Sequence, residues 1–307
     1  MPLAPEIQAF LEASAAAGLP QVWEAPVEIL RRNTQTRPAL AGPAEPLFEV
    51  SNRFIPGPTA DLPIRIYRPS ANTERTIIYF HGGGWVLNFL DIYDASLSRL
   101  ANQSNSTIIS VNYQKAPEHP FPVPFDDCYA TLLWIISNAE LLGVNTEKLG
   151  VAGDSAGGNL AAAVALKARD NEIALAFQIL IYPCNDLDFE TVSYRENATG
   201  YGLSTRAMQW FWEQYLQQNE HHENPYAVPA RAQSFSKVAP AIVITAEYDP
   251  LLSDGEKYVE LLNRDGVTTS YRCFEGMIHG FFSNVAVTPT AARAIDFVAE
   301  EVVRITQ

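Results

Sequence analysis

Two short apolar runs, each broken off by glycines, constrain this chain more than anything else in it. Thr76-Ile77-Ile78-Tyr79-Phe80 runs into His81-Gly82-Gly83-Gly84-Trp85, and Leu149-Gly150-Val151-Ala152 runs into Gly153-Asp154-Ser155-Ala156-Gly157. The second is a Gly-x-Ser-x-Gly elbow. This sharp strand-to-helix turn exposes a serine hydroxyl, and side chains at its glycine positions would collide with neighbouring backbone. The first presents backbone N–H groups whose α-carbons carry only hydrogen, which suits them to cradle an anion. In this order, the pair supplies a nucleophile and an anion cradle from one sheet.

The rest of the chain agrees with such a sheet. Strand patterns fall near 76–80, 107–113, 148–152, 174–182, 240–246 and 267–274, with helical stretches near 93–104, 125–138, 157–169, 252–264 and 290–304. Short β-branched runs separated by helices predict an α/β fold with a mostly parallel central sheet and helices on both faces. Before it, 47–55 and 62–67 flank Pro56-Gly57-Pro58-Thr59-Ala60-Asp61 and predict a hairpin at a sheet edge. Residues 1–45 carry helical signals, including 6–17 and 27–32, and form a piece outside the main sheet. The catalytic domain is then 46–184 and 236–307, interrupted by an insertion at 185–235. Within the insertion Ser204 is the expected N-cap of a helix over 205–217. Its Met208, Phe211, Trp212 and Tyr215 recur at helical spacing, which favours plain core packing, with a lid over the site as the second reading.

Composition narrows the partners. A net charge of −14 disfavours nucleic acid and anionic membrane surfaces. No apolar run approaches the roughly 20 residues of a membrane span, and the first residues lack the pattern of a signal peptide. A cytoplasmic protein is expected. Cys128, Cys184 and Cys273 are few, odd in number and far apart, so they read as buried apolar residues and suggest no metal site.

A serine hydroxyl needs a base, an orienter for that base, and donors for the oxyanion it creates. Of the histidines His81, His119, His221, His222 and His279, the last is preferred as base, since it follows the final strand pattern. His81 belongs to the glycine loop, His119 lies between prolines, and His221-His222 fall in a polar stretch. Asp249 is the preferred acid because it ends the run Ala241–Ala246 and lies between serine and histidine in chain order. Glu247 is the second choice, and Asp254 reads as a helix cap. Glycines after His81, with the N–H of Ala156, are the expected oxyanion donors.

With these residues in view, the chain resembles the hormone-sensitive lipase family of α/β-hydrolase esterases, in its bacterial branch with the elbow Gly-Asp-Ser-Ala-Gly. The matching segments are His81-Gly82-Gly83-Gly84-Trp85, Tyr113 with Ala116-Pro117-Glu118-His119-Pro120-Phe121-Pro122, Gly153-Asp154-Ser155-Ala156-Gly157-Gly158-Asn159, Glu247-Tyr248-Asp249-Pro250-Leu251 and His279-Gly280-Phe281. The resemblance implies an α/β-hydrolase fold with a helical cap built from residues 1–45 and 185–235. It implies cofactor-free hydrolysis of short-chain carboxylic esters, with Ser155 as nucleophile, His279 as base, Asp249 as acid, and Gly82, Gly83 and Ala156 as oxyanion donors; His81 and Gly84 complete the motif. It also suggests a homodimer joined along the strand near 267–274. Lys115 departs from the family, which usually carries an apolar residue there. Trp85, Val86, Leu203, Trp210, Phe211 and Phe281 are the expected substrate-pocket lining, since they flank the motifs or lie on the insertion.

Fold and triad do not fix the leaving group, so an amidase, peptidase or acyltransferase is the alternative within enzymes. A non-catalytic binding protein is the alternative outside them. Plant hormone receptors that resemble the family lack the catalytic histidine, and His279 stands here in its expected context.

Overall fold

A computed structural model describes residues 2–307, so Met1, the first residue of the expected 1–45 segment, lies outside it. Eight strands form one sheet in the order β1-β2-β4-β3-β5-β6-β7-β8. They are β1 (Glu49–Pro56), β2 (Asp61–Arg68), β3 (Arg75–Phe80), β4 (Ser106–Val111), β5 (Leu149–Asp154), β6 (Phe177–Ile181), β7 (Ala241–Tyr248) and β8 (Thr269–Ile278). From β4 across to β8 the neighbours are parallel, whereas β1 pairs antiparallel with β2, and β2 with β4. The β1–β2 hairpin lies at the edge, as its turn chemistry predicts.

Every residue of β3, β4, β5 and β6 is buried, which explains why these strands read as apolar runs instead of alternating ones. Successive side chains still go to opposite faces. Ile78 and Phe80 join Val151 and Leu180 in one core, while Ile77 and Tyr79 join Ile108 and Ile179 in the other. The first face is covered by helices Val123–Ser137, Ala156–Asp170 and Leu252–Arg264, which contribute Leu132, Leu160 and Leu262. Helices Asp94–Ser104 and Pro289–Ile305 cover the second with Leu97, Ile295 and Val298.

Differences from the expected elements are local. The strand expected over 174–182 is confined to β6, and the one expected to 113 ends at Val111. The last strand runs on to Ile278, so His279 sits directly at its end. Cys128 and Cys184 are buried as expected, but Cys273 is half-buried, because β8 is an edge strand.

The N-terminal helices dock separately. Pro5–Ala16 sends Ile7 into the second core and is tied to β8 through Ala4 N–H, which donates to the Gly276 carbonyl at 3.1 Å. Val27–Thr34 sends Leu30 into the first core. In the insertion, the Ser204 hydroxyl caps helix Thr205–Leu216 by accepting from Ala207 N–H at 3.1 Å. Its Met208, Phe211, Trp212 and Tyr215 are all buried in the first core, so this face does pack. Among the described residues, no helix is long and apolar enough to cross a membrane.

Candidate active site

β5 stops at Asp154, and helix Ala156–Asp170 starts at Ala156, leaving Ser155 between them at φ 55° and ψ −121°. That backbone is unfavourable for a side-chain-bearing residue and persists only where its surroundings impose it. Here they do. A methyl on Gly153 would drive into the Gly157 carbonyl, and one on Gly157 into the Phe80 carbonyl at the end of β3. Ser155 N–H is pinned to the Ile181 carbonyl at 2.8 Å.

The ends of β5, β7 and β8 bring three side chains together at the carboxyl edge of the sheet, where parallel α/β sheets place their sites. His279 Nε2 lies 2.9 Å from Ser155 Oγ, and His279 Nδ1 lies 2.7 Å from Asp249 Oδ2. Asp249 is fully buried, and its other oxygen accepts from Leu251 N–H at 2.9 Å. With Nδ1–H donating to the carboxylate, Nε2 presents its lone pair to the serine hydroxyl. Tyr182 braces the imidazole from the side, with ring centroids 4.7 Å apart. Asn197 Nδ2 donates to the Asp249 carbonyl at 3.2 Å, tying the acid's loop to the insertion.

The remaining candidates are placed elsewhere. The carboxylate of Glu247 accepts from Gly276 N–H at 2.7 Å. Asp254 is not the expected helix cap. It is buried, burial pushes its carboxyl well up, and it accepts from Asp186 N–H at 3.4 Å. His221 sits edge-on to Phe121 with centroids 4.9 Å apart. His81 is fully buried and stacked on Tyr113 at 4.5 Å; burial, helped by nearby Lys115, holds its pKa down to about 3 and keeps the ring neutral.

The glycine loop departs from expectation at one donor. Gly82 N–H is committed to Asp154 Oδ1 at 2.8 Å, so it does not point at an oxyanion. Gly83 and Gly84 N–H take no acceptor among the described residues, and Ala156 N–H opens its helix with no preceding turn to bond. Asp154 also accepts from Tyr79 OH at 2.8 Å and Tyr93 OH at 3.2 Å. Burial raises its carboxyl above the usual range, and these three donors pull it back toward the charged form. Further struts hold the loop's carbonyls. Asn88 Nδ2 donates to Gly82 O at 3.3 Å, Tyr113 OH to His81 O at 2.7 Å, and Arg31 Nε to Val86 O at 2.9 Å.

Three expected pocket residues are core residues instead. Trp85 is fully buried, stacked on Tyr215 at 4.2 Å and an interplanar angle of 1°, with Trp212 at 4.5 Å. Val86 is likewise buried, and Phe281 packs beneath Tyr182 and Phe274. Motif-flanking residues follow the chain into the interior here, which proximity in sequence does not reveal. Leu203 and Trp210 keep part of their surface exposed. Phe211 lies over the loop itself, so close to Gly84 that any side chain at that position would collide with its ring. Among the described residues no three His, Cys, Asp or Glu side chains gather as metal ligands would.

Residues 77–283 match a family model described as the α/β-hydrolase fold. The chain belongs to the hormone-sensitive lipase family of α/β hydrolases. Within that family it is 35% identical over 286 residues to an arylesterase of Saccharolobus solfataricus, covering 92% of this chain and 94% of the relative. It is 32% identical over 314 residues to an ethyl acetate hydrolase of Pseudomonas putida, covering 98% of both. A hyperthermophilic esterase from Pyrobaculum calidifontis superposes with a TM-score of 0.94 at 36% identity, covering 100% of this chain and 99% of that one. The sheet order, the elbow and the glycine loop described above are thus features of an α/β hydrolase.

Proposed function

We propose that this chain is a serine carboxylesterase that hydrolyses short-chain carboxylic esters through an acyl-enzyme. The hydrogen-bonded line Ser155–His279–Asp249, with steps of 2.9 and 2.7 Å, carries the reading. Ser155 Oγ attacks the ester carbonyl carbon as its proton passes to His279 Nε2. The C–O electron pair of the carbonyl becomes an oxyanion, held by the N–H groups of Gly83, Gly84 and Ala156. The oxyanion collapses, expelling the alcohol, which takes the proton from His279. Water then attacks the acyl-serine by the same route, leaving the carboxylic acid and free Ser155. Asp249 keeps Nδ1–H oriented and stabilises the imidazolium formed in each half-reaction. Donors of the oxyanion kind are each worth about 3–4 kcal/mol of transition-state stabilisation.

Residues 1–45 and 185–235 form the cap in this reading, over a catalytic domain of 46–184 and 236–307. Its support is that helix Thr205–Leu216 lays Phe211 against Gly84, while Asn197 reaches the acid's loop. Phe211, Leu203 and Trp210 then bound the acyl pocket. A homodimer along β8, an edge strand with Tyr271 exposed, belongs to the proposal, and a monomeric mass in solution removes it. A cytoplasmic location accords with cysteines that are all unpaired, and cell fractionation tests it.

Hydrolysis of p-nitrophenyl butyrate by the wild type and by an equally folded Ser155→Ala tests the reaction. Turnover lost only in the variant is expected. A well-folded wild type that cleaves a matched amide and not the ester would move the assignment to an amidase.

A further inference from the structure

A cleft of about 720 Å³ opens beside the glycine loop, and none of its lining residues belongs to the Ser155–His279–Asp249 line. Its walls include Arg31, Arg32, Lys115 and His119 on the basic side, against Glu28 and Glu118. Glu118 is already spoken for, because Arg31 grips both of its oxygens at 2.7 Å. Lys115 and Arg32 have no carboxylate partner among the described residues, although the chain as a whole carries a net charge of −14. Lys115 is the uncommon feature. Its ammonium donates to Asn112 Oδ1 at 2.6 Å and to the Tyr113 carbonyl at 3.3 Å, neutral acceptors only. Burial, with Arg31 nearby, pushes its pKa down to about 8, and Glu118 and Asp127, near it but in no ion pair with it, offset this only in part. Phe89 and Pro63, both partly exposed, give the same cleft apolar wall.

We propose that this cleft is a binding site for a small organic carboxylate, its charge held by Lys115 and Arg32 and its apolar body against Phe89 and Pro63. A carboxylate supplies the direct ion pair that neither cation makes with the described residues, and the apolar walls favour an organic acid over inorganic phosphate. The same walls are the struts of the glycine loop. Arg31, Asn88 and Tyr113 line the cleft and donate to the carbonyls of Val86, Gly82 and His81. An occupant therefore rests against the parts that hold this loop in place and tightens residues 81–89.

Calorimetric titration of the Ser155→Ala protein with benzoate tests the site without depending on any activity. Benzoate is expected to bind, with Lys115→Met and the exposed Arg32→Ala each weakening it by about tenfold or more. Phosphate is expected to bind at least about tenfold more weakly than benzoate. Amide exchange in residues 81–89 should slow with benzoate in Ser155→Ala and stay unchanged in Ser155→Ala/Lys115→Met. Absence of binding, equal affinity in both cleft variants and their parent, or phosphate binding as tightly as benzoate would each overturn the assignment.

Discussion

The N–H of Gly82 donates to the buried carboxylate of Asp154 at 2.8 Å, joining the glycine loop to the residue just before the nucleophile. The anion cradle and the elbow are therefore one rigid piece, and the position of Gly83 and Gly84 follows from Asp154 as much as from their own loop. Replacing Asp154 by Asn turns an amide N–H₂ toward donors from Gly82, Tyr79 and Tyr93, and at least one of them loses its acceptor. A loop displaced by about 1 Å costs about a hundredfold in rate. Asp154→Asn should thus lower kcat about a hundredfold with little change in KM, read from steady-state kinetics on p-nitrophenyl butyrate.

The elbow glycines answer to sterics alone. Gly157→Ala places a methyl against the Phe80 carbonyl, which cannot retreat because it belongs to the central strand β3. A loss of about 3 kcal/mol or more is expected from such overpacking. Urea unfolding measures it, and a variant as stable as wild type would show that the turn is looser than described.

Trp85 and Phe211 should separate cleanly. Trp85→Ala removes a buried indole stacked on Tyr215 and is expected to cost about 3–5 kcal/mol, with acyl-length preference retained. Phe211→Leu should instead shift kcat/KM toward longer acyl esters by about tenfold, since its ring lies against Gly84. An acyl series from acetate to octanoate decides between the two roles.

His81 gives the fold an acid-side weakness. Its folded pKa of about 3 lies below its ordinary 6.5, so between these values the folded state binds fewer protons than the unfolded chain. This contribution is complete above pH 6.5 and is lost as pH falls, at up to about 1.4 kcal/mol per pH unit. Between pH 7 and pH 5, wild type should lose about 2 kcal/mol more than His81→Asn in urea unfolding, and parallel losses would refute the point.

Much of the site was legible because its parts are contiguous in sequence. Ser155 and the glycine loop announce themselves, since turn geometry demands particular residues at fixed offsets. Chain order and strand ends point to His279 and Asp249, and the long β8 delivers the histidine just past its last residue, Ile278. What escaped was what only packing decides. Asp154 meets Gly82 and Tyr93 from a segment more than sixty residues further along the chain, so no local pattern shows that Gly82 N–H is already taken. The assignment of Trp85 and Phe281 to a pocket failed for a related reason, because an aromatic residue beside a motif looks the same in sequence whether it faces a cavity or the core.

In the proposed reaction Ser155, activated by His279, attacks an ester carbonyl. Incubating the enzyme with diethyl p-nitrophenyl phosphate and mapping the adduct by mass spectrometry tests this most directly. One phosphoryl group on the peptide bearing Ser155, formed in step with loss of esterase activity and absent in His279→Ala, is the predicted result. Activity lost with the adduct on another residue, or retained with Ser155 fully modified, would contradict it.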